Sequence, residues 1–321
     1  MSLTILTPLG ALLAVGAVVP LVALIRARRK AATVRDVLGV AALGRRAVAL
    51  PLTALAIGAA LLGLAAAQPV FEWTRDQSVR TDAEAFIVLD VSRSMLAQRN
   101  LDNPRRIERA KDAATSLRAS LSDVPVGLAS LTDRVLPHLF PSVDEEVFAA
   151  TLGRSMGIEQ PPPRASFATG ATSLNALATL RGLRYFTPKS TKRLAIVLTD
   201  GESQPVSNAR LGGLFRRPPA IEVVFIQYWD EDEHVFSRGV PEPQYSPDPS
   251  ARAALDRLAA SANGTVFSEG QLDAARSKVH ALLGSGPSVV EGEKAGQVAL
   301  APYLAAAALL PFGLLLWRRD R

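Results

Sequence analysis

The chain has 321 residues, 48% of them hydrophobic and 21% charged, which is room for one or two domains and too apolar a composition for a disordered segment. It has no cysteine, so thiol chemistry, disulfides and Cys-ligated zinc are excluded. The formal charge is +6, but residues 26–46 and 318–321 hold 10 of the 36 Lys+Arg and 2 of the 30 Asp+Glu, leaving a net of −2 elsewhere; nucleic-acid binding, which needs a basic patch on the folded domain, has no support.

Three uncharged apolar stretches, 3–25, 47–67 and 295–317, each reach the about 20 residues that cross a bilayer core, and are read as transmembrane helices. No Lys or Arg precedes the first, which argues against a cleaved signal peptide. Between the first two lies a basic loop, 26–46, with Arg26, Arg28, Arg29, Lys30, Arg35, Arg45 and Arg46 against Asp36. Arg318, Arg319 and Arg321 follow the third against Asp320. The positive-inside rule puts both basic segments in the cytoplasm. The expectation is a multi-pass protein of the inner or plasma membrane, its main domain at 83–286 periplasmic or extracellular.

Within that domain, strand and helix patterns alternate. Residues 85–89 form a continuous apolar run, a buried strand, ending in Asp90-Val91-Ser92-Arg93-Ser94. An amphipathic helix over 105–121 carries Ile107, Ala110, Ala114 and Leu117 on one face. Strands at 126–131 and 135–140 form a hairpin around Thr132-Asp133-Arg134, and a short helix covers 145–152. A Pro-rich loop at 160–164 precedes Thr169-Gly170-Ala171-Thr172-Ser173 and a helix over 173–185 with Leu174, Leu177, Ala178 and Leu180 inward. A second apolar strand, 194–199, ends in Asp200-Gly201, and a third covers 221–227. After a loop at 230–248 come a helix at 251–262, a turn at Asn263-Gly264, a short strand at 265–267 and a helix at 271–283.

This alternation predicts an α/β fold, a doubly wound, mostly parallel sheet covered on both faces. Ligands of such folds bind outside the carboxyl ends of the strands, where Asp90 and Asp200 both fall. Asp90, Ser92, Ser94, Thr172 and Asp200 offer two carboxylates and three hydroxyls, the oxygen donors that a hard divalent cation prefers: Mg2+, or alternatively Mn2+ or Ca2+.

The three fragments, Asp-x-Ser-x-Ser, the later Thr172 and the later Asp200, resemble the metal-ion-dependent adhesion site (MIDAS) of von Willebrand factor A domains. The resemblance implies that these five residues hold one metal ion that bridges to a carboxylate of a protein partner. The wider layout, with Gln68-Pro69, Pro104-Arg105-Arg106-Ile107-Glu108-Arg109-Ala110-Lys111 and Leu198-Thr199-Asp200-Gly201-Glu202, is similar to the Bat-type membrane proteins of aerotolerance operons. That implies membrane-integral action in an envelope complex with other Bat-type proteins and a MoxR-type AAA+ ATPase. Arg93 and Ala171 depart from the pattern, since glycine is common at both positions; Arg93 adds a cation beside the metal loop.

Gly153-Arg154-Ser155-Met156-Gly157 matches the G-x-S-x-G of a nucleophile elbow, but a helix precedes it where a strand is required. Gly153 reads instead as a helix C-cap, and no catalytic residue is assigned. His138, His234 and His280 lack ligand spacing, and Asp230-Glu231-Asp232-Glu233 reads as a solvated loop. The expectation is a metal-dependent protein-binding module and not an enzyme. A chaperone-like factor for maturation or metal loading of a periplasmic enzyme stays open beside it.

Overall fold

The computed structural model describes residues 2–16, 18–38, 45–160, 162, 172–182 and 185–319. Most of the Pro-rich loop at 160–164 and the Ala171 departure lie outside them. The chain divides into two units, one of Met1–Gln77 with Gly292–Arg321, the other of Ser78–Glu291.

The second unit is built around a run of residues buried on both faces. In β1 (Ala83–Asp90) successive side chains point to opposite sides of the sheet. Ala85, Ile87 and Leu89 join one core with Ile107, Ala110, Ala114 and Leu117 of α1 (Arg106–Ser120). Phe86 and Val88 join the other. Fully burying one such large side chain contributes about 1.5–3 kcal/mol. With helices on both faces, no alternation of polar and apolar residues is possible in β1, and the run reads as continuously apolar.

Further along follow β2 (Val126–Leu131), β3 (Val135–Ser142), α2 (Glu145–Ser155), β4 (Lys192–Thr199), α3 (Asn208–Phe215), β5 (Ile221–Gln227), α4 (Ala251–Ala262), β6 (Thr265–Ser268) and α5 (Leu272–Leu283). The six-stranded sheet has the order β6-β5-β4-β1-β2-β3. All neighbours are parallel except β2 and β3, the hairpin expected around 132–134. Helices α1 and α5 supply Leu117, Val279 and Leu283 to one core, while α3 and α4 supply Leu211, Phe215, Leu255 and Leu258 to the other. This is the doubly wound, mostly parallel α/β arrangement read from the sequence.

Local chemistry fixes the helix ends. The Asp144 carboxylate accepts from the Glu146 and Val147 amides at 2.9 and 3.0 Å and starts α2. Asn263, at φ 55°, ends α4 in the left-handed conformation. Arg80 donates to the Gly284 and Leu283 carbonyls at 2.7 and 3.2 Å, and Lys192 to Leu283 at 2.8 Å, so two cations satisfy the last carbonyls of α5.

The helix expected over 173–185 is a 3-10 turn, Leu174–Ala178, followed by four helical residues, Thr179–Gly182; residues 183–184 are outside the described set. Gly153 lies inside α2, and Met156 is the cap, so Gly153 is not the C-cap. Helix α3 was not expected, because Gly212 and Gly213 dilute its helical signal over only eight residues.

The strands Ser2–Ile5, Pro69–Arg80 and Ser288–Ala299, the last two of which run across the chain boundaries of the units, form a three-stranded sheet, and in the first unit the helix Arg45–Ala66 packs on the helix Ala301–Arg319. Among the described residues no helix is long and apolar enough to cross a membrane. This overturns the three transmembrane helices read at 3–25, 47–67 and 295–317, and with them the multi-pass placement in an inner or plasma membrane and the outer location of 83–286. The first run is divided among the strand Ser2–Ile5, a 3-10 helix, Pro8–Leu12, a four-residue α-helix, Leu13–Gly16, and the helix Val18–Leu38. That helix continues through Arg26, Arg28, Arg29 and Lys30, which the sequence reading assigned to a loop. The second run lies in the helix Arg45–Ala66, which opens on Arg45 and Arg46. The third loses 295–299 to a strand, and its helix contains Pro311.

Candidate metal centre

Asp90 is the last residue of β1 and Asp200 follows the last residue of β4, its neighbour in the sheet. Parallel pairing brings both to the same edge. Both are completely buried. Between and around them runs a hydrogen-bonded cluster. The Ser92 amide donates to Asp90 Oδ1 at 2.9 Å, the Ser92 and Ser94 hydroxyls lie 3.0 Å apart, and the Ser94 hydroxyl favours the ionised form of Asp200. The structure thus brings Asp90, Ser92, Ser94 and Asp200 together. Thr172, also buried, is tied in through its backbone: its carbonyl accepts from the Gln204 amide at 3.0 Å and from the Ser203 hydroxyl at 3.4 Å, on the loop that follows Asp200.

Three residues that the sequence reading did not assign shape this edge. Thr199 donates its hydroxyl to Asp90 Oδ2 at 2.6 Å and accepts from the Gly201 amide at 3.0 Å. Gly201, at φ 83°, turns the chain where a Cβ would stand 2.7 Å from Leu255, so only glycine fits. Gln227, at the end of β5, donates to the Asp200 carbonyl at 3.0 Å. Thr199 and Gln227 are polar residues that end strands, the class of position that Asp90 also occupies.

The Arg106 side chain, fully buried, faces Asp200. Its Nη1 lies 3.3 Å from Asp200 Oδ2, 3.1 Å from Glu202 Oε1 and 2.9 Å from Tyr245 Oη; its Nε lies 2.6 Å from Glu233 Oε2. Arg109 holds the other Glu233 oxygen at 2.6 Å and Glu269 at 2.8 Å. Glu233 therefore belongs to a buried ion-pair network and not to a solvated acid run; in that run Glu231 and Asp232 are exposed. Arg93 is half exposed and pairs with Glu242.

Burial pushes the Asp90 carboxyl up, against the hydrogen bonds from Ser92 and Thr199. Asp200 is pushed up to about 7, by burial first and by the Asp90 charge next, with Arg106 opposing. Glu202 is pushed up to about 7 by burial and by Asp200, again opposed by Arg106. The buried Asp90 charge thus disfavours ionisation of Asp200, and the one guanidinium beside Asp200 offsets this only in part. Among the described residues no group of three or more His, Asp or Glu is placed to hold an ion by itself. The donors at hand are two carboxylates and several hydroxyls, and this set fits a hard cation that keeps some of its waters.

The remaining motifs fall elsewhere. Ser155 is the last residue of α2, with no strand before it, so the nucleophile-elbow geometry is missing. His138 Nε2 lies 2.9 Å from the Ser130 hydroxyl, His280 is in the last turn of α5, and His234 pairs its backbone with Gln98.

No family model matches the chain, and no curated protein sequence matches it. Solved structures do match. The conserved hypothetical protein BatB from Bacteroides thetaiotaomicron is similar at 20% identity and a TM-score of 0.50, over 62% of this chain and 98% of that one. A von Willebrand factor type A protein from Catenulispora acidiphila is similar at 18% identity and a TM-score of 0.43, over 68% of this chain and 50% of that one. Proximal thread matrix protein 1 from the mussel byssus, solved with a zinc-occupied MIDAS motif, is similar at 16% identity and a TM-score of 0.41, over 71% of this chain and 51% of that one. At these identities the likeness concerns the fold alone, and it rests on the first of the three.

Proposed function

We propose that Ser78–Glu291 is a divalent-cation-dependent protein-binding module. In this reading Asp90, Ser92, Ser94, Thr172 and Asp200 hold one ion, Mg2+ or alternatively Mn2+ or Ca2+, and a carboxylate of a protein partner completes its shell. The observation that supports it is the pair of fully buried carboxylates, Asp90 and Asp200, side by side at the carboxyl edge of the sheet. Burying two like charges is costly unless a cation compensates them. Among the described residues one guanidinium, that of Arg106, pairs with Asp200, and it also serves Glu202 and Glu233. Two carboxylates leave a dication short of a full shell, which favours capture of a third carboxylate over turnover. The reading is therefore binding and not catalysis.

The partners that the sequence resemblance suggests are other Bat-type proteins and a MoxR-type AAA+ ATPase. A maturation factor for another enzyme would use the same ion-dependent contact and differ in the identity of what is captured. The test is titration of Mg2+ into the full-length chain by calorimetry, followed by capture of candidate partners in Mg2+ and in EDTA. One ion per chain and capture lost in EDTA are expected; capture indifferent to EDTA would sink the proposal.

A further inference from the structure

Arg106 occupies a junction. It is the first residue of α1, and its amide donates to the Ala97 carbonyl, at the end of the turn that follows the metal loop, at 3.0 Å. Its guanidinium reaches forward to Asp200 and Glu202 beside β4, and sideways to Glu233, Tyr245 and, at 3.4 Å, the Asp230 carbonyl. The last three belong to one segment, 230–248. That segment is tied to the metal loop elsewhere too: Arg93 pairs with Glu242, and Gln98 and His234 exchange backbone bonds at 3.0 and 2.9 Å. Arg93, which stands between Ser92 and Ser94 in the metal loop, and residues 237 and 240–244 line a cavity of about 520 Å3.

The Nη1 group is oversubscribed. It carries two hydrogens and has three oxygens within reach: Tyr245 at 2.9 Å, Glu202 at 3.1 Å and Asp200 at 3.3 Å. Tyr245 in turn donates to Glu202 Oε1 at 2.9 Å, so Tyr245, Glu202 and Arg106 close a ring that Asp200 competes with.

We infer that Arg106 is a positioning residue that couples cation occupancy at Asp200 to the order of segment 230–248, and so to the shape of the cavity beside the metal loop. The inference rests on the cation-binding reading above. With Asp200 engaged by an ion, Arg106 has two acceptors for two hydrogens, and its ring with Glu202 and Tyr245 closes without a competitor. The segment then tightens, and the wall that a partner meets next to the ion is fixed only when the ion is there. Coupling is reciprocal, so a partner that holds the segment in place strengthens cation binding by the same factor.

The test is hydrogen exchange of the full-length chain, read by mass spectrometry over 230–248 with and without Mg2+, beside calorimetry of Mg2+ binding. In the wild type, exchange in this segment should slow on the order of fivefold or more when Mg2+ is added, in the range of ordinary coupling factors. Arg106→Lys keeps the charge but cannot span Glu202, Glu233 and Tyr245 at once, so Mg2+ should still bind while the protection of 230–248 disappears. Should that variant fail to fold, Tyr245→Phe removes one side of the ring and should roughly halve the protection. Wild-type Mg2+ binding with unchanged exchange over 230–248, or full protection in Tyr245→Phe, overturns the coupling alone. No Mg2+ binding by the wild type overturns the cation-binding reading and the coupling with it.

Discussion

Thr199 donates its hydroxyl to the Asp90 carboxylate across the boundary between β4 and β1, at 2.6 Å, with both side chains fully buried. The pairing register explains the meeting. Leu89 lies opposite Leu198, so the next residue of each strand, the last before the loops, also lies side by side. A carboxylate at that position needs a donor, and the neighbouring strand supplies it from a β-branched residue that suits the sheet.

Thr199→Val keeps the shape and removes the hydroxyl, leaving Asp90 Oδ2 and the Gly201 amide without their partner. The cation-free protein should lose about 1–3 kcal/mol of stability, the range for an unsatisfied buried group. Urea unfolding in EDTA measures it. An unchanged midpoint would mean that this bond contributes nothing to the fold.

Asp90→Ala should abolish Mg2+ binding to the full-length chain and leave it folded, because removing one of two apposed buried carboxylates relieves repulsion. Thr172→Ala removes a neutral donor and should weaken binding less. Ser155→Ala, at the end of α2, should bind as the wild type does. Calorimetry ranks the three, and equal affinity for wild type and Asp90→Ala would show that the ion, if bound, sits elsewhere.

The sheet was legible because β1, β4 and β5 are buried on both faces over 85–89, 194–198 and 223–226 and therefore read there as apolar runs. Asp90 and Asp200 were legible because each ends such a run. Arg106 and Tyr245 were not legible as part of the edge, since what gathers them there is tertiary: the start of α1 and a loop 139 residues later meet at one guanidinium. The apolar runs near both ends of the chain misled for a related reason. Apolarity over 3–25 does not by itself fix one continuous helix, and here the run is divided among a strand, two short helices and the start of a longer one.

Gly127→Ala tests the packing of the second core. An added Cβ would stand 2.4 Å from the Phe86 ring, which is itself wedged edge-on against Tyr185 and Phe186, each at 5.3 Å between centroids. Neither the ring nor the backbone of β2, paired on both sides, has room to yield. Overpacking of this kind costs about 1–3 kcal/mol, so thermal unfolding should shift down. Mg2+ affinity should be unaffected, since Gly127 lies at the amino end of β2 and the candidate site at the carboxyl ends of the strands. A loss of affinity in a protein of unchanged stability would contradict this separation.

Proton release should accompany cation binding below neutral pH. In the cation-free protein the carboxyls of Asp200 and Glu202 are pushed up to about 7, against ordinary values of 3.8 and 4.5. A value raised in the folded state means that the folded protein holds these protons more tightly than the unfolded chain does. The stabilisation they give is complete below about pH 4 and is lost as the pH rises through about 7, so these groups make the EDTA-treated protein less stable at about pH 8 than at about pH 5. A cation needs the ionised forms and must displace the protons. Mg2+ binding at about pH 6 should therefore be weaker than at about pH 8 and should release protons into the buffer. Calorimetry at about pH 6 in two buffers of different ionisation enthalpy reads that release directly. Equal heats in the two buffers would mean that Asp200 and Glu202 are already ionised there and that the burial of Asp200 beside Asp90 is compensated by something other than a proton.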